Sequence, residues 1–414
     1  MNKGNDLLNL SNIFYSNSFD YLYYTFILII LGFLWVIISN PKKSNLYLYI
    51  IHSTLGILFL FYSKNFQADS TRFYILSSPH MCKNILDTDF ILNSVLTYCT
   101  TGITKLIINN YGFSTGIFSF IGFLGLNFFF NFLQKISINI NDRLNILYFF
   151  AIPSISFWTT GIGKDTLMIF FTGLIFKFIA DDYLQEISIK NLTKKRKLTN
   201  FFYLTLGLLG AYLTRTYALY IFIVSLIFSR VKDFLKIIFN LKLKKSQLFL
   251  IPIMIFILIY VNNLLFDILN FKNAEVTTDS FNLIEQRALL SQFSAIESGG
   301  SFVSQTGIQK LIYIIGGPFS FISINFILET IVGLIFTAIF YSIFRNINIL
   351  NKLLIRSNRL ILFSISLATM EIIKIYIFAF NWGIIVRQRI VPFILFFIIY
   401  YILRFSKYKR EYFQ

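Results

Sequence analysis

The chain has 414 residues, 56% of them hydrophobic and only 14% charged, with a mean hydropathy of +0.68. Soluble domains carry about 25% charged residues, so a soluble globular chain, a disordered chain, a collagen and a disulfide scaffold are all excluded. The apolar residues form long continuous runs rather than the alternating ten-residue segments of a membrane β-barrel, and the expectation is an all-α polytopic integral membrane protein, one membrane domain over residues 1–414.

A helical span needs about 20 apolar residues. Taken in chain order, such runs are expected near 21–39, 46–63, 113–133, 144–160, 166–180, 199–214, 216–229, 246–265, 325–344, 360–380 and 390–404, which makes eleven. The first twenty residues lack the basic start and small-residue cleavage site of a signal peptide, so the first run reads as a retained helix.

The net charge of +18 is not spread evenly. One alternating set of connections holds Lys42 and Lys43, Lys135 and Arg143, Lys177 and Lys190 with the KKRK at 194–197, Arg230 with the lysines at 232–245, the group Arg345 to Arg359, and Arg404 to Arg410. That set contains 24 of the 37 basic residues but few acids, enough to account for the whole excess. Lys and Arg are retained on the cytoplasmic side of a membrane. The N-terminus is therefore expected outside and the C-terminus inside, and the basic excess reads as topology and lipid-headgroup contact rather than nucleic-acid binding.

Two outer connections are long, 64–111 and 266–324, and loops of that length are usually functional. Within the first, residues 89–110 read as an amphipathic interfacial helix. Within the second, 311–325 is interrupted by Gly316, Gly317 and Pro318, as in a re-entrant or interfacial segment lining a cavity. Both cysteines, Cys82 and Cys99, fall on the outer side, where an oxidising compartment would let them pair. No CxxC or HExxH spacing occurs and there are two histidines, so neither a metal nor a cofactor is expected.

Ionisable residues near a membrane that do not set topology mark functional sites. The outer connections supply Asp69, Arg72 and His80 from the first loop, Lys164 and Asp165 after the Gly161–Gly163 turn, and Arg215 between two runs with almost no loop around it. Glu285 and Arg287 come from the second loop, and Arg387 and Arg389 precede the last run. Arginine forks clamp the paired oxygens of phosphates. Arg72, Lys164, Arg215, Arg287, Arg387 and Arg389 are therefore the expected pyrophosphate-binding set, with Asp69, Asp165, Glu285 and His80 the acid–base candidates. Glu371 and Lys374, three apart on one helix, are expected to pair.

The segments ADSTRFY (68–74), PSISFWTTGIGKD (153–165), LTRTYALY (213–220), the GGS at 299–301 and NWGIIVRQRIVPF (381–393) together resemble Wzy-class O-antigen or oligosaccharide repeat-unit polymerases. Those relatives tend to follow the arginine with Pro-His or Pro-Tyr, where this chain has Arg215-Thr216-Tyr217. The resemblance implies a glycosyltransferase-C-like fold in the bacterial inner membrane with a periplasmic active site. It also implies undecaprenyl-pyrophosphate-linked oligosaccharides as donor and acceptor, a chain-length regulator as a further partner, and lipid-pyrophosphate handling by Arg215, Arg387 and Arg389. The alternatives are a metal-dependent lipid-phosphate-sugar glycosyltransferase, an O-antigen ligase, and, as a non-enzyme, a lipid-linked oligosaccharide flippase.

Overall fold

The computed structural model describes residues 19–65, 69–82, 95–188, 194–230, 314, 324–355, 358–378 and 382–413, and these are helical without strands. The helices are α1 (Phe19–Ser39), α2 (Lys43–Asn65), α3 (Asp69–Leu76), α4 (Val95–Ile107), α5 (Tyr111–Ile136), α6 (Ile140–Ala151), α7 (Pro153–Ser156), α8 (Lys164–Ser188), α9 (Lys194–Thr214), α10 (Thr216–Ser229), α11 (Ile324–Arg345), α12 (Ile347–Ile355), α13 (Arg359–Phe378), α14 (Trp382–Gln388) and α15 (Ile390–Phe413). Single 3-10 turns occupy Pro79–Cys82 and Phe157–Thr159.

Among the described residues four helices, α1, α2, α5 and α15, are long and apolar enough to cross a bilayer, and the bent pair α11–α12 makes a fifth if counted as one span. The protein is therefore a membrane protein. Its first helix illustrates why: Phe26, Ile29, Phe33 and Ile37 are exposed, an apolar stripe suited to lipid. The expected span over 144–160 is not one helix. Pro153 has no N–H to donate and restricts Ile152 to an extended backbone (ψ 127°), so the chain breaks there into α6, α7 and a 3-10 turn. Residues 246–265 and most of 311–325 lie outside the described residues.

α5 is the centre of the bundle, with α1, α2, α8 and α15 packed around it. Phe123, Phe129 and Phe130 are fully buried. Against α8 the backbones nearly touch: a Cβ on Gly125 would stand 2.7 Å from the Phe170 Cα, and one on Gly173 2.7 Å from the Gly125 oxygen. Small residues at such crossings let dispersion contacts between backbones replace the hydrophobic force that lipid cannot supply. Polar ties reinforce α2 on α5. Asn45 donates to Asn127 and Asn131 at 2.6 and 2.7 Å, and His52 Nε2 meets the Ser119 carbonyl at 3.0 Å.

The two ends of the bundle differ. At one end Lys64 donates to Asp20 at 2.6 Å in a buried pair between α2 and α1, beside the N-terminus of α5. At the other, Arg404 of α15 meets Asp142 of α6 at 2.9 Å. The short helices α3 and α4 cluster at the first end. Tyr111 bridges Ser63 and Ser70 through its hydroxyl, 2.8 Å from each, which fastens α3 over α2 and α5. Lys105 of α4 donates to the Tyr74 and Ser77 carbonyls at the end of α3. A Cys82–Cys99 disulfide joins the 3-10 turn to α4. α4 turns its threonines inward (Thr97, Thr101, Thr104) and its apolar Ile103, Leu106 and Ile107 outward. An amphipathic helix thus occupies Val95–Ile107 of the 89–110 segment.

Candidate functional site

Four chain segments converge at the end carrying the short helices. The broken stretch after Pro153 delivers Trp158 and the Gly161–Gly163 turn, and α8 starts from that turn with Lys164 and Asp165. Thr166 closes the helix start by donating to the Gly161 carbonyl at 2.6 Å. Arg215 is the single extended residue (φ −152°, ψ 107°) between α9 and α10. Arg387 lies in the last turn of α14, and Asp69 opens α3.

Their side chains line one cavity of about 210 Å³. Arg215 Nη2 donates to Asp165 Oδ1 at 2.7 Å, and both members are largely buried. Arg387 Nη1 donates to Asp69 Oδ2 at 2.8 Å at the more open edge, where the Asp69 side chain is 62% exposed. With Lys164 the wall carries three cations against two carboxylates. A smaller space of about 20 Å³, enough for a water, lies alongside and shares Asp165, Arg215 and Arg387 with it. Its far wall holds Glu371 and Lys374 of α13, which form an ion pair as their spacing predicts, with the Lys374 ammonium 5.8 Å from the Tyr217 ring centre.

The lining of the main cavity is partly aromatic. Trp158, Phe59 and Phe73 line it. The indole is held by near-perpendicular contacts with Phe157, Tyr62 and Phe59 at 5.0, 5.8 and 6.3 Å, and the Arg387 guanidinium stands 5.8 Å from the indole centre. Ile314, from the 266–324 segment, is buried with Ile375, Ile385 and Val386 in a cluster that Trp158 packs against.

The structure thus gathers Asp69, Lys164, Asp165, Arg215 and Arg387 in one place. Arg72 and His80 are exposed on α3 and the 3-10 turn and line neither space. Arg389 is also apart from both: it is 1% exposed, with its guanidinium 4.9 Å from the Phe393 ring centre. Arg389 is the turn residue between α14 and α15, with its N–H still bonded to the Ile385 oxygen at 3.0 Å, and two residues at about 100° each turn the side chain by roughly 200°. Glu285 and Arg287 lie outside the described residues. Sequence reasoning did not single out Trp158, although it sits within the PSISFWTTGIGKD segment beside the glycine turn.

Among the described residues no three His, Cys, Asp or Glu side chains are grouped to hold a metal ion. The chemistry available is that of fixed cations in a low-dielectric recess, able to hold an anion or a leaving group, beside a solvent-reachable carboxylate able to accept a proton. The chain matches no protein family, no characterised protein and no solved structure.

Proposed function

We propose that this protein is a membrane glycosyltransferase that polymerises polyprenyl-pyrophosphate-linked oligosaccharide repeat units, as in O-antigen synthesis. It would lie in the bacterial inner membrane with eleven spans, N-terminus out and C-terminus in, and its cavity would open to the periplasm. The observation that carries this reading is the convergence of Lys164, Arg215 and Arg387 on one cavity whose open edge holds Asp69. A diphosphate is the anion that two arginine forks and an ammonium suit best, and a membrane-embedded recess suits one that is tethered to a lipid.

In this reading the arriving diphosphate takes over Arg387 and frees Asp69. The acceptor sugar's hydroxyl oxygen attacks the anomeric carbon of the donor, and the bond from that carbon to the diphosphate oxygen breaks with its electron pair staying on the diphosphate. The hydroxyl proton passes to Asp69. Arg215, held in place by Asp165, meets the charge that builds on the leaving group, where preorganised cations act most strongly.

The test is deletion of the gene followed by gel analysis of surface lipopolysaccharide, with complementation by wild type and by the Arg215→Ala/Arg387→Ala double variant. The expected result is a ladder collapsed to one capped repeat in the deletion strain, restored by wild type alone. A deletion strain with no capped repeat would indicate a ligase instead. Full ladders from the double variant would remove the chemical basis of the proposal.

A further inference from the structure

We infer that the aromatic wall around Trp158 is the subsite for the reacting sugar ring of the donor, the ring joined directly to the diphosphate; this rests on the function proposed above.

The argument starts from covalent proximity. In a sugar diphosphate the anomeric carbon is bonded to a diphosphate oxygen, so wherever the cations hold the phosphates, the first sugar ring must lie against whatever stands beside them. Here that neighbour is Trp158. It lines the same cavity as Lys164, Arg215 and Arg387, and Arg387 itself stands over the indole at 5.8 Å. A pyranose presents one face of C–H groups polarised by adjacent oxygens, and the electron-rich face of an indole attracts such hydrogens. Rigid placement strengthens a platform of this kind. Trp158 has it, held by near-perpendicular ring contacts with Phe157, Tyr62 and Phe59 and packed on the Ile314–Ile375–Ile385–Val386 cluster.

The cavity's size and lining select a sugar over the lipid tail. Drug-sized ligands occupy roughly 300–1,000 Å³. At about 210 Å³ this recess is smaller than that, too small for a whole repeat unit of several sugars. Polar groups also line it: Asp69, Gln388 and Lys164. Hydroxyls can bond to such groups, whereas an alkyl chain would strip them of water without replacing it. Gly163 also lines the cavity, and a Cβ there would meet nothing within 4 Å, so the ring has room on that side.

The test uses purified protein in detergent and three kinds of probe measured by calorimetry: inorganic pyrophosphate, geranyl diphosphate, and a set of methyl diphosphoryl hexoses with gluco, galacto and N-acetylglucosamine rings. At least one hexose probe should bind tenfold or more tightly than pyrophosphate. Trp158→Leu should erase that margin, and Trp158→Phe should keep most of it. In a Trp35→Phe/Trp382→Phe background, the emission of Trp158 should shift with the hexose probe. The inference is overturned if the margin survives Trp158→Leu, if no hexose probe exceeds pyrophosphate, or if geranyl diphosphate gains and loses the same margin, which would make the wall a tail groove. It is also overturned if Trp158→Phe and Trp158→Leu weaken pyrophosphate as much as Arg387→Ala does, because the indole would then merely support that arginine. Pyrophosphate that does not bind, or binds independently of Arg215 and Arg387, would instead defeat the underlying glycosyl-transfer reading, and the inference with it.

Discussion

Arg215 and Asp165, fifty positions apart, meet at 2.7 Å across the junction of α8, α9 and α10, and both also border the space that holds Glu371 and Lys374. The pairing fixes a guanidinium at a one-residue break between helices, where no flexible loop exists to move it. Arg215→Ala is expected to abolish chain extension, and Arg215→Lys to retain only a small part. An ammonium keeps the charge but loses the planar fork that holds two phosphate oxygens. Loss of a charge-assisted contact made in the transition state costs about 3 kcal/mol, roughly a hundredfold in rate. The readout is repeat-length distribution at matched protein level. Alanine at Lys194, Lys195, Arg196 and Lys197 should leave that distribution close to wild type, since those residues belong to the basic connections.

The two carboxylates of the site should separate by their effect on stability. Asp165 is largely buried, and Asp165→Asn strands a buried arginine, a change that costs about 3–5 kcal/mol when an ion pair inside a protein is broken on one side. Asp69 is mostly exposed, and an exposed pair is worth about 0–1 kcal/mol. Thermal melting in detergent should therefore drop sharply for Asp165→Asn and little for Asp69→Asn, while both lower turnover. An Asp165→Asn/Arg215→Gln double variant should recover part of the lost stability, as coupled residues do. Equal melting losses for the two single variants would contradict the distinct burial of the two pairs.

The parts of the fold that sequence reveals are those where one physical term dominates. α1, α2, α5 and α15 are legible because a continuous apolar run allows no other reading. Arg215 stood out because nothing around it in sequence offers water. Pairings are harder, because they depend on direction as well as position. Lys164 and Asp165 invite pairing as neighbours, yet adjacent residues on a helix point about 100° apart, and Asp165 finds Arg215 instead. Arg387 and Arg389 read as one pair of cations, yet Arg389 falls at the junction of α14 and α15 and only Arg387 lines the cavity. The Asp20–Lys64 tie, 44 residues apart, and the Asn45–Asn127 tie, 82 apart, leave no local signal at all.

Orientation is tested through the disulfide and the charge pattern together. Cys82 and Cys99 join the same short-helix layer that carries Asp69. A mature protein alkylated without reductant should show no free thiol, and both cysteines should become reactive after reduction from the outer side of intact cells stripped of their outer membrane. Reporter fusions after residues 197 and 356 should report cytoplasm. The disulfide closes a loop spanning 17 residues, so Cys82→Ser/Cys99→Ser should lower stability by about 2–4 kcal/mol. Free, alkylatable thiols in the untreated protein would place this layer in a reducing compartment and reverse the topology.

The glycine turn before α8 offers the sharpest steric contrast. A Cβ on Gly161 would stand 2.1 Å from the Phe59 ring, which is 5% exposed and packed against Phe157 and Trp158. A buried ring held on several sides cannot swing away, so Gly161→Ala must push Phe59 into its neighbours, at the roughly 1–3 kcal/mol cost of overpacking. A Cβ on Gly163 meets nothing within 4 Å, so Gly163→Ala should fold and melt like wild type. Its methyl nevertheless enters the space that the cavity keeps open beside Lys164. Gly163→Ala should therefore lower turnover at low donor concentration and recover at high concentration, a KM effect, while the bulkier Gly163→Val should fail at any concentration. Gly161→Ala should instead lose stability and turnover together. If Gly163→Ala melted as early as Gly161→Ala, the open space beside the turn would not exist in the folded protein, and the cavity would have to be closed on that side.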